Sequence, residues 1–346
     1  MKSTPIISMS NDDGWVEVTY HLSKEMYQPL VNQLIRNQGS GKVCVLTQTN
    51  EEAVILVALM QRHGINCKLV QSLDGFRFCN LAEIKYFLKY IDKRIKTPLL
   101  PEGLWEEAKN RTLLSYKTSQ CLSYFKRCLK LFEDTNKVKY ISDFKSFVFE
   151  SSAEDFCDVT GVDVIVSTIH KAKGKEFDDV YMLISDNYSI DDSLMRRYYV
   201  GMTRAKKRLF VHTNGNFFDK LPTDRYTVDH RQYKMPDEVV LQLTHRDVIL
   251  DYFKPRKRDV LSMRSGDTLH CDGCVLYSSS NIPVAMMSSK MQASLTSWKE
   301  KGYAVKSASV RFIVAWKPKD APKDEPETAV LLPDLVLIRV GNENSF

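Results

Sequence analysis

Val164-Ile165-Val166-Ser167-Thr168-Ile169-His170-Lys171-Ala172-Lys173-Gly174-Lys175-Glu176-Phe177 runs from an apolar strand into a lysine-rich loop, and Val180-Tyr181-Met182-Leu183-Ile184 follows as a second strand. A polar loop between two apolar strands occupies a strand end, where open α/β sheets bind ligands. Downstream, Ser193 to Ala205 has helical spacing and Arg208 to His212 reads as a further strand. Upstream, Val16, Val18 and Tyr20 alternate as a strand, and Leu30, Val31, Leu34 and Ile35 recur at helical spacing. Gly39 and Gly41 break that helix before the compact apolar strand Val43 to Leu46. Glu51 to His63 is helical with Gly64 as its stop, Cys67 to Val70 is another strand, and a helix follows from about Asn80 to Ile91. Alternating strands and helices predict a parallel sheet covered by helices.

The pattern is interrupted once. From Asp92 to Asp158 the strand signal fades, and Leu104, Trp105, Ala108, Leu113, Leu114, Tyr124, Phe125, Leu129 and Phe132 are spaced for amphipathic helices. From about Tyr226 short strands such as Thr268 to Cys271, Cys274 to Tyr277 and Val310 to Trp316 are separated by turn residues, with one helix from Lys290 to Lys301. Lys317 to Glu327, rich in Pro, Lys and Asp, reads as a solvated loop. The expected organisation is an α/β lobe over 1–91 and 160–222, a helical insertion over 92–159, and a small mostly-β domain over 223–346 that resembles an SH3-like barrel.

Composition bounds the function classes. In 346 residues, 43% hydrophobic and 10% aromatic content suits a folded chain rather than a disordered one. No apolar run reaches the roughly 18 residues of a membrane span, and Met1 to Ser10 lack the charged start and apolar core of a secretory signal. A cytoplasmic location without membrane partners is therefore expected. A formal charge of +6 permits a polyanionic partner without demanding one. The basic residues cluster at Lys171, Lys173 and Lys175, at Arg204, Lys206, Lys207 and Arg208, and at Lys254, Arg256, Lys257 and Arg258. For the last cluster two readings stand, a DNA contact and a solvated face. Of eight cysteines only Cys271 and Cys274 are close, and they flank Asp272-Gly273, a strong hairpin turn. No second pair follows to complete a zinc site, so no metal is expected there.

Gly39-Ser40-Gly41-Lys42 does not form a phosphate loop. Such a loop needs a glycine five residues before its final Gly-Lys and a Ser or Thr after the lysine; here Arg36 and Val43 stand there. It must also run from strand to helix, whereas this segment runs from helix to strand. Asp178-Asp179 precedes its strand instead of following it, and Asp186 follows one alone, so a magnesium-binding carboxylate pair is missing too.

Two segments resemble a known family. Thr168 to Phe177, and Arg196-Arg197-Tyr198-Tyr199-Val200-Gly201-Met202-Thr203-Arg204-Ala205, are similar to the fifth and sixth motifs of UvrD/Rep-type superfamily 1 DNA helicases, T-I/L-H-x-A/S-K-G-L-E-F and R-x-x-Y-V-A/G-x-T-R-A, in the family's order and separation. Val45 to Asn50, with Gly75 to Lys85, resembles the segment that leads into the family's large insertion. The resemblance implies a second RecA-like lobe, entered just after the fourth motif, from a protein that hydrolyses ATP with Mg2+ to move along single-stranded DNA. It implies an arginine finger at Arg204, a ribose contact at Glu176 beside Gly174, and DNA-backbone contacts at Thr168 and His170, with Lys171 and Lys173 adding attraction. The partners implied are single-stranded DNA, single/double-strand junctions and an amino-terminal RecA-like lobe that holds the phosphates and metal; the isolated chain is expected to be inactive. DNA repair is the setting the family suggests. The alternative is a non-catalytic DNA- or protein-binding module derived from such a lobe. Departures are Lys175 for the usual leucine, Gln48 where arginine is common, Ser193 and Leu194 where acids are frequent, and an insertion far shorter than the family's. Tyr198, Tyr199 and Val200 are expected to be core.

Overall fold

The computed structural model describes residues 14–37, 41–70, 73, 76–156, 161–185, 191–219, 222–318, 321–322 and 324–340. Met1 to Ser10, Gly39, Ser40, Gly75 and Asp186 lie outside the described residues. The chain forms two compact units, Met1–Val70 with Val159–Pro236, and Gln71–Asp158 with Asp237–Phe346.

The first unit is built on strands β1 (Trp15–His21), β2 (Val43–Thr47), β3 (Cys67–Leu69), β4 (Val164–Thr168), β5 (Phe177–Ile184), β6 (Ala205–Thr213) and β7 (Arg225–Asp229). They form one sheet in the order β3-β4-β2-β5-β6-β1-β7, and every pairing is parallel. Successive side chains of a strand point to opposite faces, and both faces are apolar here. Val43 and Val45 pack under the Tyr27–Arg36 and Asn50–Arg62 helices. Cys44 and Leu46 face the other way, with Ile169, Ala172, Leu194 and Tyr198. A parallel sheet buried on both faces and covered by helices is the α/β architecture that strand and helix alternation predicted.

The second unit joins what the sequence separated. The helices Ala82–Asp92, Glu102–Ser115, Leu122–Thr135 and Ile141–Glu150 share an aromatic centre, with Trp105 5.0 Å from Phe87 and 5.1 Å from Phe144, ring edges to faces. Beside them lies an antiparallel sheet, in the order β11-β10-β9-β12-β13-β8. Its strands are β8 (Glu238–Gln242), β9 (Thr268–Asp272), β10 (Val275–Ser278), β11 (Pro283–Met286), β12 (Tyr303–Trp316) and β13 (Thr328–Arg339). A bridge between Val248 and Met287 curls the β8 side toward β11 as a half-barrel. The Gln120 N–H donates to the Ser265 carbonyl at 3.1 Å, Arg264 Nε donates to the Ser115 carbonyl at 2.9 Å, and Leu81 bridges Val314. Helices and half-barrel are therefore one body.

These borders differ from the expected ones. The Ala82–Asp92 helix goes with the second unit because Phe87 has its aromatic partners there. Arg225–Asp229, assigned from sequence to the β-rich end, is the seventh parallel strand, with Glu17 opposite Arg225. The hairpin between β9 and β10 also turns one residue later than expected. Asp272 pairs with Val275, so Gly273 and Cys274 form the loop, and Gly273 takes the positive φ of 57° at its first position.

Candidate functional site

Ile169 and Ala172, each 1% exposed, anchor a short 3-10 turn, Ile169–Ala172, against the sheet. That leaves His170 exposed and Lys171 half-buried between them. Lys171 Nζ donates to Asn50 Oδ1 at 2.9 Å, at the start of the Asn50–Arg62 helix. Thr168 ends β4 opposite Thr47 and is buried. The loop then crosses the sheet. Gly174 has φ +79° with open space around it, a conformation that favours glycine, and Lys173 beside it is exposed.

Glu176 and Arg204 meet at the amino-terminal edge of two neighbouring strands. Phe177 pairs with Ala205, and the Phe177 N–H donates to the Arg204 carbonyl at 2.9 Å. The Arg204 guanidinium donates from Nε to the Val200 carbonyl at 2.9 Å, from Nη1 to the Lys175 carbonyl at 3.1 Å, and from Nη2 to Thr203 Oγ1 at 3.0 Å. Of its five N–H donors, three are thus bound among the described residues and two remain for another acceptor. Glu176 pairs with Lys206 at 3.0 Å, both more than half exposed, a contact worth at most about 1 kcal/mol that a ligand hydroxyl can replace.

The same edge explains Gly41. Its φ is +142°, and a Cβ there would fall 2.5 Å from Asp178 Oδ2. That carboxylate pairs with Lys207 at 2.9 Å and accepts from the Lys42 N–H at 2.8 Å, contacts that hold it below the ordinary carboxylate pKa. The glycine-lysine segment serves this turn.

The structure therefore sets Glu176 and Arg204 on one sheet edge, with Gly174 two residues before Glu176 in the loop, and places Thr168, His170 and Lys171 elsewhere. Val43 lies level with both Val164 and Asp179, so Thr168 stands about six residue steps along the sheet from Phe177, roughly 20 Å at 3.3 Å per step. Only the second group lies at the carboxyl ends of strands, where the sequence pattern placed the whole loop.

A buried network beside Thr168 was missed by sequence. Glu52 accepts from the N–H groups of Gln48 at 2.9 Å and Thr49 at 3.0 Å, and from Ser185 Oγ at 3.1 Å; burial raises its pKa. Gln48 Nε2 donates to Tyr198 OH at 2.8 Å, while its oxygen accepts from the Ser185 backbone N–H at 2.8 Å. One signal was legible: Thr49 with Glu52 spells a capping box. Tyr198 is core as expected, but Tyr199 is 46% exposed, because the Asp192–Met202 helix turns only one side to the sheet.

An α/β lobe with an arginine and a carboxylate presented together on one sheet edge is the class of structure this geometry defines. Residues 163–212, which span both loop and helix, match the model of the UvrD-like helicase C-terminal domain. No curated protein matches the chain. A solved structure, the C-terminal domain of a possible DNA helicase from Lactobacillus plantarum WCFS1, is similar at 15% identity. That likeness covers 63% of this chain and 85% of that one, at a TM-score of 0.31.

Proposed function

We propose that this chain supplies the second RecA-like lobe of an ATP-dependent DNA helicase or translocase. The observation that carries the reading is the Arg204 guanidinium, tied to the Lys175 carbonyl of the adjoining loop with donors left over, on the strand edge that also carries Glu176. Arg204 reaches the γ-phosphate and stabilises charge that develops as it leaves. Glu176 accepts from the ribose hydroxyls, and Gly174 lets the loop pass close to the nucleotide. ATP with Mg2+ is the cofactor. The sequence has no phosphate loop, so a second, amino-terminal RecA-like lobe holds the phosphates and metal, and the chain alone is inactive.

Thr168, His170, Lys171 and Lys173 form part of the track for single-stranded DNA, which at single/double-strand junctions meets the duplex. Lys171 already holds Asn50, so His170 and the exposed Lys173 offer the more open contacts. The Ile169–Glu176 loop spans both groups and ties DNA position to the nucleotide edge.

The test is Arg204→Ala in the complete ATPase. DNA-stimulated hydrolysis should fall roughly a thousandfold, or about 4 kcal/mol of barrier, while oligo-dT binding stays within a few-fold. The chain alone should release no phosphate from ATP. Unchanged hydrolysis by the variant, or turnover by the chain alone, would refute the reading.

A further inference from the structure

The second unit carries a groove of about 930 Å³ that the proposed helicase reading leaves unused. It lies between the Ala82–Asp92 helix, the end of the Ile141–Glu150 helix, and the β12 and β13 side of the half-barrel. Its floor is apolar, and two large side chains in it are open to water, Phe149 at 52% and Leu261 at 41% exposed. Apolar surface left open in a rimmed concavity marks an interaction site.

The rim is basic, with six lysine or arginine residues against Asp92 and Glu327. The two acids are already engaged: Glu327 pairs with Lys85 at 2.6 Å and Asp92 with Lys145 at 2.8 Å. Arg264 donates to backbone carbonyls, and Lys257 to the Glu327 carbonyl. Lys89 and Lys93 remain, exposed and without a carboxylate in ion-pair range among the described residues. They stand four residues apart, on the same side of the helix as Lys85, at roughly 6 Å per step.

We propose that this groove docks an acidic amphipathic helix of a partner protein. Carboxylates at i and i+4 of that helix repeat at the same rise as Lys89 and Lys93 and pair with them. Its apolar residues cover Phe149 and Leu261, the helix-in-groove mode. The pairing of Glu327 with Lys85 shows how such a carboxylate sits. A nucleic acid strand would match the charge but not the floor. Single strands bind by stacking bases on open ring faces, whereas Arg77 lies 3.7 Å over the Phe149 ring, Tyr116 is buried beneath Arg264, and the half-buried Tyr86 packs edge-on with Tyr116 and accepts from Ser115 Oγ at its hydroxyl. Leu88, Leu261 and Ala315 offer only aliphatic contact.

The experiment uses the full chain and a labelled synthetic peptide of about fifteen residues, long enough to hold a helix on binding, with leucines on one face and glutamates at i and i+4 on the other. Fluorescence anisotropy should show saturable binding. The charge-reversed K89E/K93E chain, and separately Phe149→Ser, should each bind at least tenfold more weakly while melting like the wild type. A scrambled peptide of the same composition should bind at least tenfold more weakly than the ordered one. The proposal is overturned if the ordered peptide fails to saturate, if the scrambled peptide binds equally well, or if neither variant weakens binding. It is also overturned if oligo-dT displaces the peptide and loses affinity itself on charge reversal, the signature of a nucleic-acid surface.

Discussion

Acidification should weaken the first unit through two histidines on neighbouring strands. His21 on β1 and His212 on β6 are 1% and 2% exposed, with His21 Nε2 2.9 Å from His212 Nδ1. Gln33 orders the protons. Its amide nitrogen donates to Glu17 at 2.9 Å, so its oxygen, 2.7 Å from His212 Nε2, accepts from that nitrogen. His212 Nδ1 then accepts from His21 Nε2–H. Burial lowers both pKa values from 6.5, that of His212 well below with the nearby His21 as second cause. For His21, burial outweighs the Asp229 carboxylate 3.4 Å from Nδ1. An unfolded chain takes up protons near pH 6.5 that the folded one refuses, so stability is full above that pH and is lost as pH falls below it.

Each pH unit below 6.5 costs at most about 1.4 kcal/mol per refused proton. Between about pH 7.5 and about pH 5, His212 therefore accounts for up to roughly 2 kcal/mol, and His21 for less because Asp229 favours its proton. Glu52 acts in the opposite sense, since burial raises its carboxyl pKa from 4.5 and acid relieves that cost. The readout is accordingly the difference between wild type and His212→Gln. Hydrogen exchange of β1 and β6 amides, corrected for intrinsic rates, should show protection falling with acid in the wild type and a shallower fall in the variant. Equal slopes in the two proteins would refute the account.

Gly41→Ala should destabilise the first unit by about 1–3 kcal/mol, from a strained φ and a Cβ driven into Asp178; thermal melts in an Asp178→Ala background should recover the steric share. Trp105→Ala should cost the second unit about 3–5 kcal/mol, since its ring is fully buried among Phe87, Phe132 and Phe144. Hydrogen exchange should show the loss in the four helices and leave the parallel sheet protected. Gly174→Ala should cost about 1–2 kcal/mol from its positive φ alone, because no atom stands near the added methyl; urea titration reads it, and a cost near zero would mean the loop adopts another conformation.

Strand β2, strand β4 and the helices Tyr27–Arg36 and Asn50–Arg62 were legible in sequence because their apolar residues recur at the period of the element they form. Arg204 and Glu176 were named from the order of residue types in a loop and a helix, and the pairing of Phe177 with Ala205 sets them on neighbouring strands. β13 was not, although it is an apolar run. Pro333 interrupts it, and a proline argues against an inner strand; here it pairs opposite Val310 beside a bulge, and its carbonyl still accepts from the Leu243 N–H at 3.0 Å.

By itself the sequence determined the alternating α/β pattern, the polar loop at Thr168 to Glu176 and the glycine turns, since all of these are local properties of period and backbone freedom. Tertiary structure alone decided that Arg204 rests on the Lys175 carbonyl, that Arg225–Asp229 closes the parallel sheet, that His21 meets His212, and that insertion helices and half-barrel share one core. Each of those contacts joins distant stretches of chain. Which of many apolar faces or buried polar groups find one another is settled by packing and by the cost of leaving a buried donor unpaired, and no local pattern encodes that choice.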